Sequence, residues 1–162
     1  MELFDIKKLA ILHRRLTRKE ETIAVAESVT SGLLQAILAQ AENASEFYQG
    51  GITVYNLGQK YKHLQVEPIH AELNNCVSAK VSTEMALHVC DLFNSQWGIG
   101  VTGYVTPVPE SGNKVFAFYS IAHHNKIVLK GKLSPRITTP QELQLYYARS
   151  IMNALLKKMA KL

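Results

Sequence analysis

The 162-residue sequence predicts an α/β fold: a three-layer α/β/α sandwich on a mixed, mostly parallel five-stranded sheet. Three observations carry that expectation. Short apolar stretches alternate with amphipathic ones through the first half, the order that parallel strands with right-handed crossovers require. The early strand candidates are apolar on both faces, as strands covered by helices on either side must be. A hairpin pattern late in the chain adds at least one antiparallel strand.

Residues 3–18 place Leu3, Ile6, Leu9, Ile11, Leu12 and Leu16 at helical spacing and form the first helix. After the polar break Lys19-Glu20-Glu21, residues 22–26 read as a strand, and the small polar residues 28–31 lead into a helix over 32–38. A turn through Asn43-Ala44-Ser45 precedes a second strand over 51–55 and a short helix over 57–64. Ser78 is placed to cap a long helix over 79–93, with Val81, Met85, Val89 and Leu92 toward the core. A third strand follows over 97–102, then a hairpin of 114–123 and 126–133 around His124-Asn125, and a closing helix over 140–161. Leu145, Ile151, Leu155 and Met159 of that helix suit a core or an interface. No linker or repeat divides the chain, so residues 1–162 read as one domain.

Composition narrows the function classes. An apolar fraction of 47% with 19% charged residues is that of a globular domain with a full core. The apolar runs are too short for a bilayer, and the N-terminus lacks the basic and apolar regions of a signal peptide, so a cytoplasmic location is expected. The two cysteines, Cys76 and Cys90, read as buried free thiols, with a disulfide between them as the alternative. The six histidines are scattered or merely adjacent, so their spacing predicts no metal site, and no cofactor is expected. The net charge of +5 sits in Arg14-Arg15, Arg18-Lys19 and Lys157-Lys158 with Lys161. Without interleaved aromatic residues these read as solvated helix faces, and neither nucleic acid nor membrane is an expected partner.

Chemistry in an open α/β sheet gathers at the carboxyl ends of the strands. Three segments answer: Glu27 to Gly32, Tyr55 to Lys60, and Gly103 to Pro107. Ser28 lies where a strand turns into a helix, beside free backbone N–H groups that favour developing negative charge. A serine needs a base to become a nucleophile. Lys60 could supply one if burial strips its proton, with Tyr55 orienting the lysine or shuttling the proton. Singly, each residue has an ordinary structural explanation: a helix cap, strand-end packing, a solvated amine.

Together these segments resemble the C-terminal domain of the CinA (competence/damage-inducible) family, whose stand-alone members include the PncC-type nicotinamide mononucleotide deamidase. The family pattern A-E-S-C-T-G-G is matched by Ala26-Glu27-Ser28-Val29-Thr30-Ser31-Gly32, and G-x-x-x-Y-x-x-x-x-K by Gly51 through Tyr55 to Lys60. Val77-Ser78, Glu84-Met85-Ala86 and Thr102-Gly103 follow in order, so the resemblance covers nearly the whole chain. It implies a Ser–Lys–Tyr site of Ser28, Lys60 and Tyr55 that hydrolyses the carboxamide of nicotinamide mononucleotide to the acid and ammonia, a step of pyridine nucleotide salvage. Glu27, Thr30, Ser31, Gly32, Gly103 and Arg136 are the implied substrate-binding residues, and backbone N–H groups near Thr30 the implied oxyanion hole. The implied partners are a nucleotide substrate and further copies of the chain in a homo-oligomer, such as a dimer, with no metal. Larger members carry an N-terminal domain whose activities do not transfer.

The sequence departs from the pattern where the nucleotide would be held. Val29 and Ser31 replace the family's Cys and Gly, and residues 104–112 replace its T-G-I-A-G-P loop with prolines and side chains that keep backbone from approaching a phosphate. Arg136 remains of a G-D-R, and a later family arginine falls near Leu143 or Gln144. The expectation is amide hydrolysis with altered substrate preference or reduced activity; the alternative is a non-catalytic paralogue that binds a nucleotide or a protein partner.

Overall fold

A computed structural model describes residues 1–136 and 139–162. Helix α1 (Ile6–Arg18) begins at Asp5, whose carboxylate accepts from the N–H groups of Lys7 and Lys8. Strand β1 (Ile23–Glu27), helix α2 (Leu33–Ala39) and strand β2 (Tyr48–Thr53) follow, then α3 (Leu57–Leu64) and α4 (Pro68–Leu73). Helix α5 (Ala79–Phe93), strands β3 (Trp97–Gly103), β4 (Ala117–His123) and β5 (Lys126–Leu133), and helix α6 (Pro140–Met159) complete the chain. Ser78 caps α5 as expected, accepting from Val81 N–H at 3.1 Å. Helix α4, opened by Pro68 and capped by Glu67, has too few residues to show a period in sequence.

The five strands form one sheet in the order β2-β1-β3-β4-β5. β1 pairs in parallel with both β2 and β3, while β3–β4 and β4–β5 are antiparallel. The mixed sheet is thus the expected one, with parallel pairing confined to its first half. His124 and Asn125 turn the hairpin with φ of 48° and 59°, the left-handed pair that a two-residue connection demands. Helices α1, α2 and α6 cover one face around Leu12, Ile37, Trp97 and Ile151, and α3, α4 and α5 cover the other around Val54, Leu64 and Met85. Leu145, Ile151, Leu155 and Met159 all join the first of these cores, which assigns that face of α6 to the interior.

Burial in the centre is close to complete: every residue of β1 is buried. The second face also depends on two glycines. A Cβ on Gly98 or Gly100 would lie 2.3 Å from the carbonyl oxygen of Ala86 or Ser82, so β3 and α5 meet backbone to backbone only because both are glycine. Cys90 is buried and Cys76 half-buried, and both are free thiols, so the alternative of a disulfide is not realised. Among the described residues, no helix is long and apolar enough to cross a membrane.

Candidate active site

The three parallel strands end on the same edge, and the segments that follow them line a cavity of about 400 Å³. Its floor is a serine and a lysine. Ser28 leaves the end of β1 only 7% exposed. Lys60 projects inward from α3 and is 1% exposed, so its amine has almost no water around it. The Lys60 Nζ donates to Ser28 Oγ at 3.0 Å and to the Val54 carbonyl at 2.9 Å.

An ammonium in that position has lost hydration without gaining a carboxylate, so burial pushes the Lys60 pKa below the ordinary lysine range. The neighbouring Cys76 opposes this in part, while its own thiol is pushed up by burial. An amine whose pKa is lowered in this way gives up its proton more readily than an ordinary lysine, and it does so one hydrogen bond from a hydroxyl.

Tyr55 takes a different place from the one expected. β2 stops at Thr53; Val54 turns into the core, donating its N–H to the Glu27 carbonyl at 2.8 Å, and the alternation throws Tyr55 outward, 74% exposed. Tyr55 therefore stands at the rim of the cavity, and the bond that orients the lysine comes from the Val54 carbonyl.

The other expected binding residues divide. Gly103 lines the cavity. Glu27 is fully buried, and its carboxylate accepts from the N–H groups of Gly32 at 3.1 Å, Leu34 at 3.1 Å and Gln35 at 2.9 Å. The N-terminus of α2 is thus already occupied by a carboxylate from within the chain, which corrects the binding role expected for Glu27. Gly32, with φ of 97°, turns the chain into that cap, and Ser31 precedes it with φ of 52°, a conformation that suits the glycine of the family pattern. Thr30 is completely buried. Thr30, Ser31 and Gly32 therefore shape the turn beneath Ser28 instead of lining the cavity. Among the described residues, the N–H groups of Val29 and Thr30 have no acceptor within the protein, whereas that of Ser31 is held by the Ser28 carbonyl.

Arg136 lines a second cavity, of about 710 Å³, together with Lys114, Phe116 and Lys132. The two cavities share no lining residue, so the arginine is not among the groups around Ser28 and Lys60.

Several lining residues carried no signal in the sequence. Asn75 and Cys76 adopt φ of 49° and 60° and form a wall held by Thr102 Oγ1, which donates to the Cys76 carbonyl at 2.7 Å. Asn75 reaches across to the Tyr104 hydroxyl at 3.1 Å. Gln144, near the position expected for a family arginine, lines the cavity and donates to the Val29 carbonyl at 3.0 Å. Only the contact between Gln144 and the Ser28 turn could have been anticipated, from the displaced arginine.

Comparison with known proteins agrees with this architecture. A profile of the CinA C-terminal domain matches residues 6–156. A protein of Streptococcus equi subsp. zooepidemicus named for competence-damage inducibility is 32% identical over 148 residues, which is 88% of this chain and 34% of that protein. A CinA-like protein of Picosynechococcus is 36% identical over 107 residues, 66% of this chain and 26% of its own length. The chain thus spans about a third or less of these relatives. Among solved structures, the competence/damage inducible protein of Agrobacterium tumefaciens superposes with a TM-score of 0.89 at 20% identity, covering 98% of this chain and 99% of that one. A CinA superfamily protein of Escherichia coli does so with a TM-score of 0.84 at 24% identity, covering 94% and 88%. At those identities the likeness is one of fold, and with the matched profile it has one reading: the chain belongs to the CinA C-terminal domain family.

Proposed function

We propose that this domain is a serine–lysine amidohydrolase that cleaves a small carboxamide, of which the amide of nicotinamide mononucleotide is the first substrate to test. The observation that carries the reading is the buried contact of 3.0 Å between Lys60 Nζ and Ser28 Oγ at the floor of an open cavity. Neutral Lys60 takes the Ser28 proton as Oγ attacks the amide carbonyl. The oxyanion that forms is held by the free N–H groups of Val29 and Thr30. Collapse breaks the C–N bond, with the Lys60 ammonium returning its proton to the leaving nitrogen, so ammonia departs and an ester to Ser28 remains. Lys60 then deprotonates a water, whose attack releases the acid and restores the hydroxyl. Tyr55, at the rim, contacts the substrate. The free thiols fit a reducing, cytoplasmic compartment.

The test is ammonia release from nicotinamide mononucleotide and a panel of related amides. Release is expected from the wild type and not from Ser28→Ala, whose melting temperature stays near that of the wild type. A wild type inert across the panel counts against hydrolysis.

One observation favours a second reading. Among the described residues lining the cavity there is no arginine, and its loop runs on through Pro107 and Pro109, so a nucleotide phosphate finds little to hold it there. A paralogue that binds a nucleotide or protein partner without turnover would be stabilised against heat by that ligand while releasing no product.

A further inference from the structure

At the opposite end of the sheet lies a cluster that the chemistry above does not use. Glu21 precedes β1, His123 ends β4 and His124 opens the hairpin turn. The Nε2 atoms of His123 and His124 lie 3.0 and 2.9 Å from the same carboxylate oxygen, Glu21 Oε1, and the three ligand atoms fall within 4.8 Å of one another. We propose that Glu21, His123 and His124 form a binding site for one divalent transition-metal ion of the zinc class.

Two imidazoles and a carboxylate are the donors such ions prefer, and three protein ligands leave a fourth position for water. Bond lengths of about 2.0–2.2 Å around a tetrahedral ion hold ligand atoms roughly 3.4 Å apart. The two histidine-to-carboxylate separations, 3.0 and 2.9 Å, fall slightly short of that and the histidine-to-histidine one lies within 4.8 Å, so small side-chain adjustments bring the three donors around one ion. Both rings already aim Nε2 at one point. A carboxylate can only accept, so each neutral ring carries its proton on Nε2. Metal binding moves that proton to Nδ1, opening an Nε2 lone pair with no net change in protons.

The frame around the cluster is fixed. The second carboxylate oxygen of Glu21 accepts from Trp97 Nε1 at 2.7 Å, and the indole stacks on the His123 ring with centroids 3.9 Å apart and planes 20° from parallel. Outer contacts of this kind orient metal ligands. The His124 backbone N–H donates to the Gln96 carbonyl at 2.9 Å, and Glu21 N–H to the Leu16 carbonyl at 3.0 Å. The His124 side chain is 61% exposed, which leaves the entry path and the fourth coordination position open to solvent. Glu21 stands seven residues before Ser28 along β1, roughly 20 Å of extended chain, so this site is independent of the proposed hydrolysis.

Trp97 is the sole tryptophan and reports on the site directly. Titration of the metal-free chain with Ni²⁺ should quench its fluorescence in a saturable way, with one equivalent bound and displaced by Zn²⁺. His124→Asn should weaken both ions by about tenfold or more while leaving the metal-free emission and melting temperature in place, because asparagine tolerates the left-handed backbone at that turn. Ser28→Ala should bind as the wild type does. Absence of saturable quenching at millimolar Ni²⁺, or equal affinity in His124→Asn, would overturn the assignment: the cluster would then be only a set of hydrogen bonds to Glu21.

Discussion

Lys60→Met separates what the lysine does for chemistry from what it does for the fold. The substitution removes two hydrogen bonds, at 3.0 Å to Ser28 and 2.9 Å to the Val54 carbonyl, and keeps most of the buried volume. Leaving a buried carbonyl unpaired costs about 1–3 kcal/mol. Against that, a methionine needs no hydration, and replacing a buried polar group by an apolar one of similar shape relieves its desolvation. The two effects oppose, so urea denaturation should place Lys60→Met within about 2 kcal/mol of the wild type. Catalysis has no such offset: loss of a general base lowers the rate by about 10²–10⁴-fold. The pH profile gives a second signature. Burial lowers the native pKa of Lys60, so the unfolded chain binds more protons than the native one between that lowered value and the ordinary value of about 10.4. Wild-type stability gains a contribution that rises with pH across that window, and kcat/KM rises as the amine loses its proton. Both rises should vanish in Lys60→Met. Retention of more than a tenth of wild-type ammonia release would refute the assignment of Lys60 as base.

Further substitutions test the rest. Tyr55→Phe should change the hydrolysis rate by less than about tenfold, because an exposed hydroxyl contributes no more than an ordinary hydrogen bond; a loss as large as that of Lys60→Met would put the phenol into proton transfer. Glu27→Ala strips the acceptor from three N–H groups at the start of α2 and should destabilise the fold by on the order of 3 kcal/mol, read from denaturant midpoints. An unchanged midpoint would mean that water replaces the carboxylate there. Gly100→Ala drives a Cβ to 2.3 Å from the Ser82 carbonyl oxygen, and thermal melts should show a loss of about 1–3 kcal/mol or more as α5 is pushed off β3.

Helices α3 and α5 take the bounds read from the sequence, α5 with the cap expected at Ser78, because a capping residue and a 3.6-residue apolar rhythm are local properties of the chain. β2 was less legible: its glycine pair and polar Gln49 hide a strand that begins at Tyr48 and ends before Tyr55. Tyr55 lies beyond that end and directly follows buried Val54, so it faces outward, since successive residues of an extended chain point to opposite sides.

The order of the elements apart from α4, the buried strands and the serine at a strand-to-helix turn were in the sequence by itself, since each depends on neighbours a few residues apart. The tertiary structure alone decided how far groups on different crossovers approach each other. It buried Lys60 against Ser28 across 32 residues, turned Glu27 from the cavity to the end of α2, and set Arg136 in a separate cavity. It also brought Glu21 to histidines 102 and 103 residues away. Proton affinity and ligand geometry depend on distance and water exclusion through space, and these exist only once the sheet has brought its edges together.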